Sequence, residues 1–173
     1  MEEKTTLYHV NTNKKIEEFS VKDTLIISKH KADKNYAGYG MYFWDNRGNA
    51  DYWFGEKLKY EEKQNLCLVV VSVEYNSEVL LDLMDNTQEK LYAEILKKIE
   101  KSGKFQNGFL GEKVDYLCQH LGCKLVRFST YYPNTPKTGM LKRSRVTNQN
   151  KVIYCIKEPH YDIIKSKQKE VFL

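Results

Sequence analysis

Gly40-Met41-Tyr42-Phe43-Trp44-Asp45 decides how the rest of this chain is read. A run of large apolar and aromatic residues between a glycine and a turn former predicts a short strand over 41–44. Gly38-Tyr39-Gly40 ahead of it permits a sharp bend and a close backbone approach. Asp45-Asn46-Arg47-Gly48 behind it predicts a turn, with Asn49 or Asp45 placed to cap a helix over about 50–60.

Moving outward, Leu66-Cys67-Leu68-Val69-Val70-Val71-Ser72-Val73-Glu74-Tyr75 is the clearest strand. Its nearly unbroken β-branched run predicts burial on both faces and an interior place in the sheet. Residues 6–10 predict a strand, 14–19 a brief helix, 25–28 a second apolar run and 29–38 a polar loop. A short extended piece is expected at 79–83, and strands at 124–129 and 152–156. Leu91, Ile95, Leu96 and Ile99 share one face of a helix over 87–101, opened by Thr87. Val114, Leu117, Cys118 and Leu121 do the same over 112–121, with Gly122 as its C-cap. The lysine-rich tail over 165–173 is expected to fray. The elements do not alternate regularly, which predicts one α+β domain over 1–173, with a mostly antiparallel or split sheet and flanking helices.

Composition narrows the function classes. With 41% hydrophobic residues in 173, the chain can build a core, and disorder is excluded for most of it. No apolar run approaches the roughly 18 residues that span a bilayer, so no membrane partner is expected. Met1-Glu2-Glu3-Lys4 is not followed by an apolar signal core, and a cytoplasmic location is the expectation. Cys67, Cys118, Cys123 and Cys155 form no CxxC pair and no zinc-ligand spacing, so free thiols and no metal are expected. Cys118 and His120 lie two apart on a helix and point apart, against a thiol–imidazole pair. Glu74 and Asp82 have no second carboxylate at a recognisable spacing. A net charge of +5 favours an acidic partner.

Three motifs resemble, in order, those of the ADP-ribosyltransferase superfamily, in its poly-ADP-ribose-polymerase and diphtheria-toxin-like branch. They are Leu7-Tyr8-His9, the Gly40–Asp45 segment, and Ala50-Asp51-Tyr52. Leu81-Asp82-Leu83 is similar to small bacterial and phage-type members. The resemblance implies the fold of that superfamily and NAD as substrate, with no metal. It implies that His9 bonds a ribose hydroxyl and that the backbone at Val10 holds the nicotinamide amide. Ala50 belongs to the cofactor-binding motif, and Tyr42 and Tyr52 would sandwich the nicotinamide ring. Aromatic faces attract such a cation by about 0.5–2 kcal/mol.

The family's third catalytic residue is usually a glutamate at the start of a late strand. Here that place falls to Asn150, Gln149 or Ile153, according to register. Without a carboxylate, transfer of single ADP-ribose units is implied rather than polymer formation. Lys137, Lys142, Arg143 and Arg145 lie in the preceding basic stretch, 131–150, which would meet a macromolecular acceptor, protein or nucleic acid. A toxin or phage-defence effector, with an inhibitory partner, fits the family. Two other readings stand beside this one: a catalytically degenerate nucleotide- or partner-binding module of the same fold, and a basic nucleic-acid-binding protein with no dinucleotide site.

Overall fold

The computed structural model describes residues 2–28, 30–103, 105, 108–136 and 139–172. The strands are β1 (Glu2–Thr12), β2 (Met41–Trp44), β3 (Leu66–Asn76), β4 (Leu80–Asp82), β5 (Leu125–Tyr131), β6 (Asn150–Ile156) and β7 (Ile164–Glu170). The helices are α1 (Asn13–Val21), α2 (Arg47–Lys57), α3 (Asn86–Glu100) and α4 (Leu110–Leu121). Among the described residues the strands form one sheet in the order β4-β5-β6-β2-β1-β3-β7. Every neighbouring pair is antiparallel except β4 with β5. The expected mixed α and β architecture, with a mostly antiparallel sheet, is what the chain forms.

Alternation along the strands divides the core in two. Cys67, Val69, Val71 and Val73 of β3 pack on one face with Leu7, Met41, Phe43, Tyr154 and the α1 residues Ile16 and Phe19. Leu68 of β3 turns to the other face, with Trp44, Ala50, Val126, Ile153 and the α4 residues Val114 and Leu117. This two-sided burial explains the unbroken apolar run in β3. Each fully buried Val or Leu there contributes about 1.5–3 kcal/mol.

The join between β2 and β1 is narrow. β1 runs against β3 from Glu2 opposite Asn76 to Thr12 opposite Leu66. Against β2 it registers at Tyr8 opposite Trp44 alone among the described residues. The sheet is therefore continuous but nearly parted between its two halves.

The apolar run over 25–28 serves the core through Leu25 and Ile26, and its Ser28 bridges Gly40. Several local expectations are corrected. The cap of α2 is Asn46, whose side chain accepts from the Asn49 N–H at 2.9 Å. Asp85 rather than Thr87 caps α3, accepting from the Thr87 N–H at 2.8 Å. Leu91 is 58% exposed, and Tyr92, Ile95 and Leu96 form the inner side of α3. The tail does not fray over 164–170, because β7 completes the ladder on the outer edge of β3.

Candidate functional site

The narrow join is closed by a side chain. His9 Nδ1 lies 2.6 Å from the carbonyl oxygen of Tyr42. A carbonyl only accepts, so Nδ1 carries the proton, and Nε2 is left to accept from Asn11 Nδ2 at 3.1 Å. Burial lowers the pKa of the ring from 6.5 to about 4, against the Tyr42 bond, which raises it; Lys57 and Lys15 lower it further. His9 is thus a neutral imidazole in one tautomer, with both nitrogens engaged. Its ring packs 5.6 Å from that of Phe43, on the α1 side of the sheet.

Tyr42 occupies the opposite face, where β2 runs beside β6 with Tyr42 opposite Cys155. Its hydroxyl donates to the Gly38 carbonyl at 2.5 Å, and burial pushes that hydroxyl's pKa well up. Its ring stands edge-on to Phe128 at 6.3 Å, and Phe128 stacks on Tyr36 at 6.2 Å. Gly40 makes this approach possible: a Cβ there would lie 2.4 Å from Cys155 Sγ and 2.7 Å from the Ile156 carbonyl oxygen.

Tyr52 belongs to a second aromatic group on the same face. Its ring meets Tyr132 at 5.6 Å, Tyr132 meets Trp44 at 5.8 Å, and Trp44 meets Trp53 at 5.8 Å. Among the described residues no ring contact joins Tyr42 directly to Tyr52. Ala50 is fully buried on the inner side of α2, and Val10 is buried where β1 has passed its pairing with β2. An open groove of about 680 Å³ lies beside the Tyr36–Phe128 stack, bounded by Tyr92 and Leu96 of α3 and by Val114 and Leu117 of α4.

The start of β6 separates the three candidates for the last position. Gln149 is committed to the preceding loop: its Nε2 donates to the Pro133 carbonyl at 2.8 Å, and its Oε1 accepts from the Tyr131 hydroxyl at 3.2 Å. Asn150 is exposed opposite Tyr131. Ile153 is buried between Trp44 and Phe128 in the ladder.

The side chain that enters the aromatic group is Lys151, which sequence reasoning passed over. Lys151 is 3% exposed, its Nζ sits 4.5 Å from the centre of the Tyr52 ring, and it donates to Asn49 Oδ1 at 3.0 Å. Burial lowers its pKa, and nearby Asp45 partly offsets that. The signal was present in the alternation. Ile153 and Cys155 face this core, so a residue two places earlier shares their side.

The remaining candidates divide between structure and surface. Lys142, Arg143 and Arg145 are exposed in the loop between β5 and β6, and Lys137 lies outside the described residues. Asp82 is buried and ion-paired with Arg127, which makes it a structural carboxylate. All four cysteines are buried free thiols. Among the described residues no group of three or more His, Cys, Asp or Glu is disposed to hold a metal ion. Nor is any helix long and apolar enough to cross a membrane. No family model, curated protein or solved structure matches this chain.

Proposed function

We propose that this chain is an NAD-dependent mono-ADP-ribosyltransferase, built on the split-sheet fold of the superfamily its motifs resemble and acting on a macromolecular acceptor. The observation that carries the reading is the His9–Tyr42 bridge at the near-parting of β1 and β2. It joins the strands of two separate motifs at the narrowest point of the sheet, with the His9 ring on the α1 face and the Tyr42 ring on the other. In this reading Tyr42 and Tyr52 line the dinucleotide site from β2 and α2, and the backbone at Val10 faces the nicotinamide amide. The basic loop 131–150 presents the acceptor. Nicotinamide leaves with the glycosidic electron pair, and a nucleophile of the acceptor bonds the ribose carbon and loses its proton. A cytoplasmic toxin or defence effector, held silent by an inhibitory partner, is the setting that suits such an activity.

One observation favours a second reading, a catalytically silent nucleotide-binding or partner-binding module of the same fold. Lys151 places an ammonium over the aromatic face that a cationic ring would use. A fixed cation also opposes positive charge developing at the ribose carbon. Calorimetry with NAD separates the two when set beside turnover. Binding accompanied by nicotinamide release supports the transferase, and binding without release supports the silent module.

A further inference from the structure

The loop between β5 and β6 holds most of the excess charge of this protein. Residues 131–150 contain Lys137, Lys142, Arg143 and Arg145 and no Asp or Glu, in a chain whose net charge is +5. The rest of the sequence is nearly balanced. Elsewhere several cations are neutralised in place: Arg47, Lys113, Lys124, Arg127 and Lys157 each meet a carboxylate. Among the described residues, the side chains of Lys142, Arg143 and Arg145 meet none. Three unneutralised cations within four positions repel one another, a cost that a polyanion removes.

The loop is fastened at its base. The Tyr132 N–H donates to the Gln149 carbonyl at 2.7 Å, and Asn148 Nδ2 donates to the Pro136 carbonyl at 2.9 Å. With the Gln149–Pro133 bond, these contacts hold the two ends of the segment together. Aromatics stand at that base. Tyr131 is 58% exposed, and Tyr132 behind it touches Tyr52 and Trp44. Cations outside and stackable rings inside form the arrangement that grips an unpaired strand, by its phosphates and its bases together.

We propose that this loop binds single-stranded nucleic acid, with phosphates on Lys142, Arg143 and Arg145 and a base on Tyr131, and leads it toward the aromatic group around Tyr52. The loop's guanidiniums fit phosphate oxygens in pairs, which lysine alone does not. That the bound strand is the acceptor rests on the transferase reading; the binding itself does not.

The test is fluorescence anisotropy of a labelled single-stranded DNA of about 20 nucleotides, chosen to exceed one site of about 4–16, with the whole chain and no NAD. The logarithm of the binding constant should fall against the logarithm of salt concentration with a slope of about −2, from roughly −0.7 per phosphate neutralised. The triple variant K142Q/R143Q/R145Q, shown folded by circular dichroism, should bring that slope close to zero. Tyr131→Ala should weaken binding roughly 5- to 150-fold at an unchanged slope.

A slope unchanged in the triple variant overturns the proposal. So does duplex DNA of the same sequence binding more tightly than the single strand, or poly-glutamate binding more tightly than the oligonucleotide, which would mark the loop as a site for acidic protein. Because NAD is absent, these outcomes are independent of whether the chain releases nicotinamide.

Discussion

His9 Nδ1 donates to the Tyr42 carbonyl at 2.6 Å, across a strand pair that otherwise registers only at Tyr8 and Trp44 among the described residues. The contact joins the two halves of the sheet and sets the tautomer of the imidazole. It also predicts an acid-sensitive fold. His9 titrates near 6.5 when unfolded and at about 4 when folded, so the unfolded chain binds more protons between those values. Stability should be level above about pH 6.5, fall as pH drops toward about 4, and flatten below, a loss approaching 3 kcal/mol from this group. Urea unfolding from pH 7.5 to about 3 (a span that brackets both values), repeated with His9→Gln, measures it. The variant should lose most of that slope and start from a stability about 1–3 kcal/mol lower, because its partners are left unsatisfied.

Lys151 should compete with any cationic ring for the face of Tyr52. Lys151→Met keeps the apolar stem and removes the ammonium 4.5 Å from the ring centre. Under the dinucleotide reading, NAD should bind this variant more tightly, by roughly 2- to 30-fold. Calorimetry reads the effect, and weaker binding would mean that the lysine holds the ligand instead.

Two glycines should respond oppositely to alanine. At Gly40 the new Cβ would meet Cys155 Sγ and the Ile156 backbone, and overpacking of this kind costs about 1–3 kcal/mol. At Gly55, inside α2, nothing lies within 4 Å, and removing glycine from a helix interior gains about 0.5–1 kcal/mol. Thermal melts should therefore move in opposite directions.

The carboxylates should differ in weight according to burial. Asp82 is 4% exposed beneath Arg127, and its truncation to alanine unpairs a cation that is itself 33% exposed, at a cost of about 1–3 kcal/mol. Glu74 faces Lys4 with side chains 40% and 69% exposed, where a pair is worth about 0–1 kcal/mol. Glu74→Ala should leave the unfolding midpoint almost unchanged, and Asp82→Ala should lower it clearly.

What was legible in the sequence follows from where local and global signals agree. β2 was read residue for residue because glycines, aromatics and a turn former bound it on both sides. β3 was read because a strand buried on both faces is apolar at every step. β7 was not read, because Lys165-Ser166-Lys167-Gln168-Lys169-Glu170 lies on an outer edge. Its pairing comes from the open side of β3, and lysines there discourage further pairing. The apolar run over 25–28 was read as such, and its side chains serve the core without a ladder.

The candidate site was legible in part. The aromatic positions on β2 and α2 were named, but their division into two groups depends on Phe128 and Tyr132 of distant segments. Lys151 went unread because a carboxylate or amide was sought at its neighbours, and a buried lysine declares itself only through the face it shares with Ile153.

Nicotinamide release from NAD by the purified chain, beside Tyr42→Ala and Tyr52→Ala proteins shown to be folded, tests the central claim most directly. The account predicts release by the unaltered chain and its loss in both variants. Release that survives both substitutions, or none from the unaltered chain at saturating NAD, would contradict it.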